Sequence, residues 1–366
     1  MVIYSADNKR RTKMSRADRL IEAIKLNAGE AVIIHNLSNM YYLSGYRGEG
    51  ILLITNEKRA IITDFRYVEQ AQNEAPAWEV KSISTGVSHM KLVKDGAGDV
   101  KKVYIEYECV TVKQFREMEA LFEGAELLPL NNAPEKLRSI KDEGEIKIME
   151  QACSISSEAF DYIITFIKEG LSEKEIRLAL ENKMYELGAD ALAFNSIIAS
   201  GENGSLPHAI PSDRKVKKGD LITLDFGAKY KGYCADMTRT VALGKPTDKM
   251  AEIYSIVQEA QETCQNALAP GKVCKDIDAM ARDIIGSRGY GEYFGHGLGH
   301  GVGIDIHEEP RLSPVCDETL QAGIVITVEP GIYLPGIGGV RIENTCLITE
   351  SGAKSLVTAP RELIIL

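Results

Sequence analysis

Residues 221–243 read LITLDFGAKYKGYCADMTRTVAL, two apolar, β-rich runs joined by a polar, glycine-ending connection at positions 229–232. Each half carries an acid. Asp225 sits inside a nearly continuous apolar run, of the kind buried on both faces of a sheet. The midpoint between Asp225 and Asp236 falls within the turn, so a symmetric hairpin sets the two carboxylates opposite each other. Cross-strand partners have Cβ atoms about 5 Å apart, and like charges there repel. Residues 324–349, IVITVEPGIYLPGIGGVRIENTCLIT, repeat the oddity, with Glu329 and Glu343 symmetric about Gly336. Any one of these acids reads as an exposed strand residue. Two hairpins that each hold acids face to face call for a cation, because a buried unpaired carboxylate is very costly.

Between the hairpins lies FGHGLGHGVGIDIHEEPRLS, residues 294–313, with three of the chain's six histidines: His296, His300 and His307. Its alternating glycines allow the backbone to approach a ligand closely. They match neither the dinucleotide fingerprint G-x-G-x-x-G nor, around His307, the helical H-E-x-x-H of a zinc protease.

The rest of the chain bounds the answer. Its 366 residues suit two domains. A net charge of −10 argues against nucleic acid, which demands basic patches. Seven scattered cysteines without a C-x-x-C suit reduced thiols, and the polar, basic N-terminus has no apolar core for a signal peptide. No apolar run reaches the length of a membrane span. A cytoplasmic protein is the expectation.

Residues 1–13 read as an extension, with Met1 and Met14 both open as the start. Strand and helix patterns alternate over residues 14–132, an α/β N-terminal domain. The turn-rich Asn131-Asn132-Ala133-Pro134 marks the boundary, and residues 133–366 form the second domain. There a long amphipathic helix with a break near Gly144 is expected, then a helix opened by a capping box at Ser172 and Glu175. A strand and loop carrying His208, the acidic hairpins and two further helices complete an α+β unit.

Asp225, Asp236, His300, Glu329 and Glu343, in this order and these contexts, resemble the dinuclear metal set of the pita-bread metallopeptidases. SLPHAIPSD around His208, GHGLGHGVGIDIHE, TVEPGIY and GVRIEN are similar to the Xaa-Pro peptidase branch of that family. The N-terminal NMYYLSGYRGEG and ITDFRYVEQA resemble the domain that precedes the catalytic one in aminopeptidase P and its relatives. The resemblance implies a C-terminal pita-bread fold behind a smaller creatinase/prolidase-type α/β domain. It implies two divalent ions, with Asp225 on one, His300 and Glu329 on the other, and Asp236 and Glu343 bridging. An oxygen-rich set without thiolate favours manganese, with cobalt, iron or zinc as alternatives.

By the same resemblance Glu329 shuttles a proton, and His208 and His307 orient substrate and stabilise the oxyanion. His296 shapes the pocket, and Arg341, two residues before Glu343, anchors Asp236 or Glu343 from behind. Arg311 is suited to the free carboxylate of a C-terminal proline. The implied activity is hydrolysis of the bond between an N-terminal residue and proline in short peptides. An aminopeptidase P-like enzyme ranks first and an Xaa-Pro dipeptidase second. A non-catalytic peptide-binding protein on the same fold is a more distant alternative, and a homodimer is the expected assembly.

Overall fold

A computed structural model describes residues 14–366; the expected extension at 1–13 lies outside them. The chain divides into two compact units, the first ending at Arg138 and the second spanning Ser139–Leu366.

The first unit is built on a six-stranded mixed sheet. Its strands are β1 (Glu30–Ile34), β2 (Ile51–Ile54), β3 (Arg59–Thr63), β4 (Glu79–Ser82), β5 (Lys102–Ile105) and β6 (Glu126–Pro129), ordered β4-β3-β2-β1-β5-β6. The central β1 and β2 are buried at every position and, apart from Glu30 at the start of β1, are unbroken apolar runs. Helices His89–Ala97 and Val112–Leu121 contribute Met90, Val93 and Met118 to its core.

The second unit opens with Glu143–Phe166. The break expected near Gly144 is real: Asp142 accepts from the Glu145 amide while the Glu145 side chain accepts from the Asp142 amide, closing a capping box. The predicted box at Ser172 and Glu175 starts the helix Glu173–Glu186 in the same way. Among the described residues no helix is long and apolar enough to cross a membrane.

Two groups of strands carry the acids. β7 (Ala191–Leu192), β8 (Ile197–Ser200), β9 (Leu221–Phe226), β10 (Ala228–Tyr230), β11 (Tyr233–Cys234) and β12 (Met237–Ala242) form two three-stranded sheets, β12-β9-β8 and β11-β10-β7. β13 (Gly299–Gly301), β14 (Glu308–Leu312), β15 (Val325–Val328), β18 (Asn344–Thr349) and β19 (Gly352–Ser355) form a five-stranded sheet, with β16 (Gly331–Leu334) and β17 (Gly338–Arg341) as a separate ribbon. Helices Asp248–Ala267 and Cys274–Ser287 bury Ile253, Val257, Ile277 and Ala281 in a core shared with Ile326, Val328 and Ile342 of the five-stranded sheet and its hairpin.

The hairpins obey the two symmetric readings differently. Val328 faces Asn344 and Gly331 faces Arg341, so Glu329 and Glu343 oppose each other as expected. In the other, Tyr230 faces Tyr233 and Asp225 faces Thr238, two residues off the symmetric expectation. The reason is the turn. Lys231 (φ 46°) and Gly232 (φ 81°) both take positive φ, the signature of a two-residue type I′ turn. It moves the hairpin centre one position along from the midpoint of the two acids. Asp225 and Asp236 become diagonal neighbours on one face, roughly 7–8 Å apart in such a geometry.

Arg239 lies behind that face and is fully buried. Its guanidinium donates to the carbonyls of Thr238, Glu343, Ala359 and Pro360 and to Asn344 Oδ1, all neutral oxygens. Burial pulls its pKa down to about 10. It stitches the strands bearing Asp236 and Glu343 to each other and to the C-terminal segment.

Candidate metal centre

A cavity of about 600 Å³ in the second unit brings together all ten candidate side chains: His208, Asp225, Asp236, His296, His300, His307, Arg311, Glu329, Arg341 and Glu343. Five of them, Asp225, Asp236, Glu329, Arg341 and Glu343, are mounted on the hairpins just described. His300 arrives on β13, whose close approach to β15 needs glycine; a Cβ on Gly299 would lie 2.1 Å from the Thr327 carbonyl oxygen. The Glu329 amide donates to Leu298 O at 2.8 Å, which fixes the acid beside the histidine strand. The Glu343 amide donates to Thr238 O at 3.0 Å and couples the two hairpins.

His300 Nδ1 lies 3.0 Å from Gly301 O and so carries the proton, leaving the Nε2 lone pair to face the cavity. Nε2 is 3.3 Å from Glu329 Oε1 and 3.6 Å from Asp236 Oδ2. Ligand atoms of Asp236, His300 and Glu343 all lie within 4.8 Å of one another. Asp225 Oδ1 and Glu343 Oε1 are buried without a hydrogen-bond partner. Burial, then the charges of Glu343, Asp225 and Glu329, drives the Asp236 pKa well above the usual carboxylate range. Glu343 is driven up by burial and by Glu329 and Asp225. Burial also raises Asp225, with Arg341 pulling against it. At Glu329 burial is outweighed by the attraction of His300 in its protonated form, with His296 and Arg341 adding to it, which holds the carboxyl below its ordinary value.

Arg341 differs from expectation. Its Nη2 pairs with Asp225 Oδ2 at 2.5 Å, not with Asp236 or Glu343. Arg341 faces Gly331 on β16, and its long side chain runs past Thr238, the cross-strand partner of Asp225, donating to Thr238 Oγ1 at 3.2 Å. Thr238 in turn donates to Glu343 Oε2 at 2.7 Å. Arg341 also donates to Tyr333 OH at 2.8 Å and to Pro207 O at 3.3 Å. Tyr333 OH meets His296 Nε2 at 2.9 Å, while His296 Nδ1 faces Gly297 O at 2.8 Å. Thr327 Oγ1 accepts from the His300 amide at 3.0 Å and donates to Glu329 Oε1 at 3.3 Å, so Thr238, Thr327 and Tyr333 orient the site, yet were absent from the sequence-derived set. Their signal was the two-residue spacing from Asp236, Glu329 and Gly331 along the strands.

His208 and His307 are exposed at the cavity, and the His307 ring centroid is 4.5 Å from that of His300. His307 is followed by Glu308, whose buried carboxylate meets Lys141 Nζ at 3.0 Å and accepts the Asp305 amide at 3.2 Å. Burial lowers the pKa of both His296 and His307. Arg311 is the cross-strand partner of His300, so its side chain shares the face that looks into the cavity.

Residues 147–350 match the model of metallopeptidase family M24, and residues 16–140 match the creatinase/prolidase N-terminal domain. The chain belongs to metallopeptidase family M24. It is an enzyme class fold in full: the N-terminal α/β domain precedes an α+β pita-bread domain. An Xaa-Pro dipeptidase of Pyrococcus horikoshii is 39% identical, over 95% of this chain and 98% of that one. Among solved structures, an Xaa-Pro dipeptidase from Bacillus anthracis is 40% identical with a TM-score of 0.92, covering 96% of this chain and 99% of the other. An X-Pro aminopeptidase from Thermotoga maritima is also 40% identical, with a TM-score of 0.88 and coverage of 96% and 100%.

M24 membership implies divalent metal ions, and the donors present fit them. Four carboxylates and a suitably oriented imidazole converge, and two buried carboxylate oxygens have no partner. An oxygen-rich set of this kind suits hard divalent cations.

Proposed function

We propose that this M24 metallopeptidase is an Xaa-Pro dipeptidase. It cleaves the bond between an N-terminal residue and proline, with residues 14–132 as the N-terminal domain and 133–366 as the catalytic one. Asp225, Asp236, His300, Glu329 and Glu343 would hold two divalent ions, manganese first among them. Such ions supply Lewis acidity, polarising a carbonyl and acidifying water.

The chain's own residues do the rest. Glu329 has a side chain 17% exposed, against 12% for Asp225 and 6% for Asp236, so it is the more accessible base for a proton leaving the attacking water. His208 and His307, exposed at the cavity, donate hydrogen bonds to the carbonyl oxygen as it gains charge. His296, fixed by Tyr333, walls the pocket. An X-Pro bond offers no N–H, so selection rests on shape around the ring.

The observation that carries the dipeptidase reading is the pairing of His300 with Arg311 across β13 and β14. It sets a guanidinium, 44% exposed and only 4.0 Å from its nearest acid Glu309, on the cavity face beside the metal centre. That is where a dipeptide presents its terminal carboxylate. The sequence alone ranked the aminopeptidase first. Two of the three relatives described above are named dipeptidases, which supports the reverse order; the Thermotoga name keeps the aminopeptidase as the second reading.

Product analysis on Xaa-Pro dipeptides, tripeptides and longer peptides, with manganese and with cobalt, decides between them. Arg311→Ala should cost ~1.5–3 kcal/mol on dipeptides, the worth of a charged hydrogen bond, and little on longer peptides. Equal loss on both would remove the dipeptidase reading. A cytoplasmic location and a homodimer complete the proposal; sedimentation as a stable monomer at micromolar concentration would refute the latter.

A further inference from the structure

Glu173 is fully buried, yet it lies on the helix Glu173–Glu186 and lines no part of the cavity. Its Oε1 accepts from the Ser200 amide and hydroxyl, both at 2.7 Å. Its Oε2 accepts from the Ser212 amide at 2.9 Å and hydroxyl at 2.7 Å. Asn203 Nδ2 is 3.1 Å from both oxygens. Ser200 and Ser212 are the two feet of the loop that carries His208. A single carboxylate therefore closes the loop at its base. Lys174 adds a backbone bond to Ser212 O, and Arg214 donates to Ser200 Oγ at 2.8 Å.

Between the feet the larger apolar side chains point outward, Leu206 58% exposed and Ile210 86% exposed, while Ala209 is buried and the Gly204 backbone packs against Gly339 of β17. Near its middle, Pro207 O takes the hydrogen bond from Arg341 noted above. The polar contacts thus fix the two ends of the loop, and with the Gly204 packing and the Pro207 contact they set the position of His208. A carboxylate can serve both feet because each oxygen only accepts.

We propose that Glu173 is the positioning residue for His208, gripping both ends of its loop and so fixing where that imidazole meets the substrate. The proposal rests on the role of His208 in the reading above. Glu173→Gln keeps the side-chain volume but turns an NH2 group toward donors at one foot, releasing it. The expected result is a fall in kcat on an Xaa-Pro dipeptide of about 10²-fold, the effect of an ångström-scale misplacement, with KM little changed. Manganese affinity measured by calorimetry should stay at the wild-type value. Placed on a His208→Ala background, Glu173→Gln should lower kcat no further.

An equal fall with and without His208, or a loss of manganese affinity in step with kcat, would overturn the tether. Full turnover by His208→Ala alone would instead overturn the role of His208, and the proposal with it. Ser212→Ala guards against a folding defect in Glu173→Gln. It removes one hydroxyl donor, keeps the amide bond, and should show a smaller fall in kcat with the same dependence on His208.

Discussion

Lys141→Met removes the positive half of an ion pair sealed inside the catalytic unit. The Lys141 side chain is 1% exposed and that of Glu308 6%, so water screens neither group. The pair also joins distant parts of the chain, since the Lys141 amide is tied to Gly323 O at 2.9 Å while Glu308 ends the hairpin loop that carries His307. Deleting one partner of a buried pair typically costs ~3–5 kcal/mol, mostly because the other charge is stranded. Glu308 keeps the Asp305 amide at 3.2 Å, which places the loss toward the lower end of that range. At roughly 2–4 °C per kcal/mol for a unit of this size, the thermal midpoint should drop by ~6–12 °C. Lys141→Met/Glu308→Gln strands no charge and should recover most of the loss. Urea unfolding followed by circular dichroism, on metal-loaded protein, measures both variants. A single variant within about 1 kcal/mol of wild type, or a double variant worse than the single, would refute the reasoning.

Three more outcomes are expected. Arg341→Lys should lose most activity despite keeping the charge, because a point ammonium cannot serve Asp225, Thr238, Tyr333 and Pro207 together; steady-state kinetics on Xaa-Pro dipeptides checks it. Lys231→Asn should raise the midpoint by ~2–4 °C, worth about 1 kcal/mol, since Asn accepts the left-handed conformation that a type I′ turn demands. Chelated protein should lose stability as pH rises from acid toward neutral. Asp236 and Glu343 have folded pKa values above their unfolded ones, so their contribution is complete below the unfolded pKa and is lost as pH climbs through the folded one. Melting curves across that range, with and without manganese, test this; an identical slope in both would count against the carboxylates as the cause.

The Glu329–Glu343 pairing could be read from the letters because Gly336 centres a hairpin whose register runs unbroken from β15 to β17. The Asp225–Asp236 pairing could not be, because counting from the acids ignored the turn; Lys231-Gly232 dictates a two-residue type I′ geometry and shifts the partners. The five metal-binding candidates and the histidines were legible as residues in runs too apolar or too glycine-rich for them. What holds them was not. Arg341 reaches Asp225 over 116 positions, and Glu173 reaches Ser200 and Ser212 over 27 and 39. Those bonds depend on how sheets stack and loops return, which no local period encodes. At Glu173 the legible signal, the capping box of its neighbours Ser172 and Glu175, described only the start of a helix.

Arg239 has a consequence for electroneutrality. Because its hydrogen bonds all go to neutral oxygens, its charge is answered only through space, by Glu343 and by Glu362, the latter offset by Arg361. Four ionised carboxylates facing two buried guanidiniums, Arg239 and Arg341, leave a deficit of two positive charges. One divalent ion makes that up, and a second overshoots it. Loading should therefore be stepwise, a tight first ion and a markedly weaker second, with protons expelled from Asp236 and Glu343 as the first arrives. Neutralising Arg239 deepens the deficit and should bring the two affinities closer together.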